Sequence, residues 1–174
     1  RVSWNAYKVY TATLTQAGGS DIHQTNAGLL DVGRTYTIID YQAGDDFRNV
    51  GAPSNSPGTA FVATGTTPAV WTNGTYVQVD LGVPVVNVLE NTIGNIWFVY
   101  VAPGTYQVYS DNLFTSGKTY TTITNNNNQD VEGAQIITAF YPGNDYSVTL
   151  LAAYGGTRAD SILTDAPIEI RVYN

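Results

Sequence analysis

The chain has no cysteine and no methionine among its 174 residues, and no stretch whose apolar residues recur at helical spacing. Without cysteine there is no disulfide, no thiolate metal site and no cysteine nucleophile. The missing initiator methionine fits a processed or trimmed start. Charge is also scarce: charged residues make up 12% of the chain, about half the usual share. Solubility therefore falls to Thr, Asn, Ser, Gln and Gly, a surface style frequent on extracellular and particle-borne β-proteins. Lysine and arginine total seven and form no cluster, the formal net charge is −7 and the isoelectric point is near 4.3. Such a surface repels phosphate backbones and anionic membranes, so nucleic-acid binding and membrane insertion are not expected. No apolar run is long enough to cross a bilayer as a helix.

What is present is β-forming. Hydrophobic residues reach 43%, enough for a packed core. Short runs of Val, Ile, Thr and Tyr alternate with turn residues at a spacing of about eight to twelve residues, the pattern of packed β-sheets. Strands are expected over residues 2–15, 34–41, 59–64, 75–81, 85–90, 96–101, 105–110, 118–124, 133–141, 146–153 and 168–173. The residues Asn73-Gly74 read as a hairpin turn, the Asn run at 125–128 as an exposed turn, and residues 160–163 as a short helical turn at most. Phe47, Phe61 and Trp71 are expected to form a small core of their own. Leu30-Asp31-Val32-Gly33-Arg34-Thr35-Tyr36-Thr37 echoes Phe114-Thr115-Ser116-Gly117-Lys118-Thr119-Tyr120-Thr121. Shared turn mechanics explain the echo, with Gly supplying a positive φ ahead of a β-branched strand.

Few residues suggest chemistry. Asp40, Asp45 and Asp46 form the densest acidic cluster, and Asp45 and Asp46 are the candidates for a metal site, but the alternating ligands of an EF-hand are absent. The reading favoured for both is loop capping, since Asp beside Gly is ordinary turn chemistry. His23 is the only histidine; with no cysteine it cannot build a zinc site, and no Gly-x-Ser-x-Gly elbow accompanies it. Glu90 and Glu169 lie in strand-like runs and suggest a glycosidase pair. The plainer reading puts Glu169 outward between inward-facing Ile168 and Ile170, with Arg171 available to pair with a carboxylate on the same face. Trp4, Trp71 and Trp97 are candidates for surface contact with a sugar, against core packing as the plainer alternative. No catalytic residue and no cofactor is expected.

The stretches Val9-Tyr10-Thr11-Ala12-Thr13-Leu14-Thr15-Gln16, Val88-Leu89-Glu90-Asn91-Thr92-Ile93-Gly94 and Ile168-Glu169-Ile170-Arg171-Val172-Tyr173 resemble a recurring module of bacteriophage structural proteins, especially those of Bacteroidetes phages. A second phage-associated pattern, found in appendage and fibre proteins, resembles Gly44-Asp45-Asp46-Phe47, Asn49-Val50-Gly51 and Phe61-Val62-Ala63-Thr64-Gly65-Thr66-Thr67-Pro68 with Trp71. The resemblance implies an outer β-sandwich module from residues 1–20 and 82–174, with residues 21–81 inserted as a β-rich lobe. The expected fold is all-β, an antiparallel sandwich or jelly-roll-like core. The resemblance further implies a non-enzymatic virion protein, a head fibre, capsid decoration or tail appendage subunit. Its partners would be copies of itself, in a trimer by analogy with fibres and decorations, other virion proteins and a host-surface glycan. Two alternatives stand beside it: a carbohydrate- or host-receptor-binding module, and a subunit of a secreted β-rich filament or adhesin.

Overall fold

Period-two alternation puts Tyr10, Ala12 and Leu14 on one face of the first strand and Val9, Thr11 and Thr13 on the other. The first set is fully buried and the second is half-exposed. In the computed structural model, which describes residues 6–124, 134–139 and 147–174, the chain is all-β and every strand pairing is antiparallel. Its strands are β1 (Tyr7–Thr15), β2 (Ile22–Thr25), β3 (Thr35–Asp40), β4 (Ala60–Val62), β5 (Tyr76–Asp80), β6 (Val85–Asn91), β7 (Ile96–Ala102), β8 (Thr105–Ser110), β9 (Thr119–Ile123), β10 (Ala134–Ala139), β11 (Ser147–Tyr154), β12 (Thr157–Arg158) and β13 (Ala166–Tyr173). The expectations for Trp4, for the Asn run at 125–128 and for the ends of the strand at 133–141 fall outside the described residues.

The strands form three sheets. The first has the order β6-β1-β13-β9, the second β10-β11-β8-β7 with β12 on β11, and the third β2-β5-β3-β4. The first two stack face to face. Tyr10, Leu14, Ile168 and Ile170 of the first meet Phe98, Tyr106, Val108, Val148 and Leu150 of the second in one buried cluster. Full burial of a side chain of this kind contributes about 1.5–3 kcal/mol. The third sheet draws all its strands from residues 22–80 and encloses its own cluster around Leu30, Ile38, Phe47, Phe61 and Val77. It docks on the sandwich through Val86 N–H donating to Gly33 O at 2.9 Å, Asn95 Nδ2 to Ala60 O at 2.9 Å and Arg34 Nη1 to Val83 O at 3.4 Å. Val62 joins the sandwich core.

At the end of β1 the Gln16 amide ties both sandwich sheets together. Its Oε1 accepts the Ile162 and Leu163 N–H groups, both at 2.7 Å, and its Nε2 donates to the Tyr106 hydroxyl and the Ala159 carbonyl, both at 2.8 Å. Asp160 completes the network by accepting from the Tyr100 and Tyr106 hydroxyls and from Gly104 N–H. Burial pushes the Tyr106 phenol up, so it stays a neutral donor. These outside partners explain why residues 160–163 form bends without a helical turn. The Ile162 and Leu163 N–H groups find their acceptor in the Gln16 side chain rather than in a helical turn.

Two further details depart from the sequence reading, and a third agrees with it. Strand β2 was not expected: it is a polar edge strand, exposed along most of its length. Asn73-Gly74 does not join two strands of a hairpin, because β5 pairs with β2 and β3 and the chain before Asn73 contributes only a single bridge, Val70 to Asp46. The echoed segments do share a turn. Arg34 N–H donates to Asp31 O and Lys118 N–H to Thr115 O, with Gly33 and Gly117 at φ +86° and +74°, while Leu30 and Phe114 anchor each in a core.

Candidate ligand-binding face

Antiparallel register sets the outward rows of the first sheet. Tyr7 lies opposite Tyr173, Val9 opposite Arg171 and Thr11 opposite Glu169 across the β1–β13 pair. On β9, Tyr120 lies opposite Arg171 and Thr122 opposite Glu169. On β6, Glu90 lies opposite Thr11. The two glutamates therefore flank one threonine from strands on either side, their Cα atoms about 10 Å apart at two strand spacings. A β-bulge between Thr11 and Ala12 shifts the register of β6 here and leaves Leu89 exposed.

The side chains of this face bind one another. Arg171 Nε bonds the Glu169 carboxylate, an ion pair with both members half-buried. That bond, with Tyr173 adding to it, raises the Arg171 pKa further above its already high value and keeps the guanidinium charged. The guanidinium carbon lies 4.9 Å from the centre of the Tyr7 ring, a cation–π contact, and the Tyr7 and Tyr173 rings are 5.4 Å apart, tilted by 55°. Tyr120, Tyr173 and Tyr7 keep 55%, 39% and 38% of their surface in water. A groove of about 360 Å³ runs along the face, walled by Tyr7, Thr11, Glu90, Thr92, Glu169 and Arg171. Glu90 has no hydrogen-bond or ion-pair partner among the described residues. Glu169 points outward between buried Ile168 and Ile170, as alternation predicts, and its partner is Arg171. The two glutamates thus present an ion pair beside a lone carboxylate, unlike the two facing carboxyl groups of a glycosidase.

The other predicted positions serve the fold. Asp45 is 1% exposed. Its Oδ1 accepts from Thr72 N–H at 2.8 Å, Asn73 N–H at 2.9 Å and Asn73 Nδ2 at 3.0 Å, and its Oδ2 from Thr75 N–H at 3.0 Å. Burial alone would raise its pKa, but the backbone donors of Asn73, Thr75 and Thr72 outweigh it and bring the carboxyl down to about 2. Asp46 accepts from Arg48 N–H, Nε and Nη2 and from Asn55 Nδ2, and these bonds, that with the Arg48 side chain foremost, hold its pKa well below the usual carboxylate range. Asp45 and Asp46 thus act as loop acceptors, the reading favoured from sequence, and a cation at either would have to displace the N–H donors that their oxygens already face. No group of three or more His, Asp or Glu able to hold a metal occurs among the described residues. His23 is exposed on β2 beside Asp21, at 3.0 Å.

Of the tryptophans, Trp71 packs edge-on against Phe47 at 5.3 Å and donates its indole N–H to Thr75 O at 2.7 Å, as part of the third sheet's core. Trp97 stacks on Tyr109, the rings 5.8 Å apart at 14°. It lines a cleft of about 260 Å³ between the second and third sheets. Neither belongs to the groove. The groove's aromatic wall is Tyr7, with Tyr173 packed against it, and the alternation Glu169, Arg171, Tyr173 placed that row outward in the sequence. No protein-family profile, no curated protein and no solved structure matches the chain.

Proposed function

We propose that the protein is a non-enzymatic structural and adhesive subunit of a bacteriophage particle, a head fibre, capsid decoration or tail appendage, displayed on the virion as a homotrimer. The observation that carries this reading is the outer face of the first sheet. Its ion pair, its cation–π contact and its exposed tyrosines are tied across strands of a stiff double layer. A face held in this way offers contact area at little entropic cost, which suits a protein whose work is to be touched. Further support comes from the resemblance of the strand segments to phage structural modules and from a surface poor in charge. The engagement of Asp45 and Asp46 by backbone and side-chain donors also fits a scaffold role.

Quantitative mass spectrometry of gradient-purified particles tests the proposal. The chain is expected at a fixed copy number, a multiple of three. A chain that stays with the soluble fraction, or that turns over a substrate when purified, contradicts it. The groove also favours the second reading, a carbohydrate- or receptor-binding module, which is compatible with the first when the module rides on the particle.

A further inference from the structure

We infer that the groove on the outer face of the first sheet is a binding site for a neutral oligosaccharide. The inference rests on the adhesive reading above and names the ligand class that this face would take. Three features converge on it. First, Glu90 holds a carboxylate with no partner among the described residues, open to the groove. An ionised carboxylate accepts two hydroxyl donors at once, which matches a vicinal diol. Second, Arg171 is already oriented by Glu169 on one side and the Tyr7 ring on the other. Its remaining N–H groups can donate to hydroxyl or ring oxygens without further ordering, so little freedom is lost on binding. Third, just outside the groove, Tyr120 on the edge strand β9 stands opposite Arg171, which walls it, with more than half its surface in water. It supplies the flat ring on which the C–H face of a sugar packs, beside the polar groups that hold its hydroxyls.

Charge selects within the class. Arg171 and Glu169 cancel, and Glu90 leaves the groove with one negative charge on a chain of net charge −7. Neutral sugars are admitted; uronic acids, sulfated glycans and nucleic acids are repelled. The walls are mostly polar groups with the single ring of Tyr7 among them, and the groove lacks the continuous apolar centre that a protein partner would favour.

The test uses the full chain and a panel of malto-, cello-, manno- and N-acetylchito-oligosaccharides, with oligogalacturonate as the acidic control, followed by isothermal titration and ligand-observed NMR. Binding is expected to at least one neutral series and not to oligogalacturonate. Glu90→Gln and Tyr120→Ala are each expected to weaken it about tenfold or more. Both side chains are exposed, so the thermal midpoint should stay within about 2 °C of the parent. Tyr76→Ala, at an exposed tyrosine on the third sheet, should bind like the parent. The inference is overturned if no neutral oligosaccharide binds at millimolar concentration, if Glu90→Gln and Tyr120→Ala both bind as the parent does, or if oligogalacturonate binds best. Such a result with the chain still present on purified particles removes the ligand class alone. Particles without the chain remove the adhesive reading itself.

Discussion

Replacing Asp45 by Ala is expected to lower the free energy of unfolding by about 4 kcal/mol, the sum of several buried donors left without an acceptor. The carboxylate is the acceptor for the N–H groups of Thr72, Asn73 and Thr75, and Thr75 is wholly buried. Once it is gone the turn must either open to water or keep orphaned donors, and opening it would release Trp71, whose indole bonds the Thr75 carbonyl. For a chain of this length the thermal midpoint should fall by about 8–16 °C. Asp45→Asn retains one acceptor oxygen but turns an NH₂ toward a donor, so a loss near half as large is expected, about 2 kcal/mol. The pH dependence follows from the depressed pKa. With the folded carboxyl at about 2 and the unfolded one at about 3.9, its ionised form stabilises the fold fully above the unfolded value. That contribution is lost as pH falls toward 2. Denaturant unfolding from pH 6 to pH 2 should therefore show a shallower acid decline in Asp45→Asn than in the parent. The decline that comes from Asp46, held by Arg48 and Asn55, should remain in both. Parallel curves would contradict the assignment.

Gly104→Ala should be about as damaging, at roughly 3–5 kcal/mol, because a new methyl meets backbone on more than one side. The added Cβ would lie 2.2 Å from Ala152 O, 2.6 Å from Ala159 N and 3.0 Å from Ala159 O. None of these atoms is the end of a flexible side chain. Gly104 also donates to Asp160 and accepts from Ala152 N–H, so moving it disturbs the network that links Gln16, Tyr100 and Tyr106. Part of the cost is conformational, since Gly104 has φ +60°. Gly117→Ala isolates that part: its φ is +74° and nothing lies within 4 Å of the added carbon. It should cost about 1 kcal/mol, the left-handed penalty alone. Urea unfolding of the two variants decides the matter, and equal losses would show that the close approach at Gly104 does not constrain the fold.

Strands whose apolar and polar residues alternate were legible in the sequence. The expected 105–110 coincides with β8, the expected 85–90 stops one residue short of the end of β6, and the expected 75–81 exceeds β5 by one residue at each end. Strand β2 was not legible, because Ile22-His23-Gln24-Thr25 is an edge whose side chains face water and so has no apolar face to announce it. Asn73-Gly74 misled for another reason: the acceptor that shapes its turn is Asp45, and a local dipeptide rule cannot see a carboxylate so far upstream. The groove was least legible of all. Tyr7 and Tyr173 sit at opposite ends of the chain, and only the β1–β13 register makes them neighbours. Local alternation did place Glu169 outward and Arg171 beside it. The partner row that turns them into a wall exists only once the sheet has formed.

The outer face of the first sheet is proposed as the working surface of an adhesive subunit. Competition for particle adsorption tests it most directly. Purified parent chain, added in excess, is expected to block attachment of the particles to host cells, whereas the doubly substituted chain Glu90→Gln/Tyr120→Ala, folded and equally stable, should leave attachment intact. Equal blocking by both chains, or blocking by neither, would rule out that role for the face.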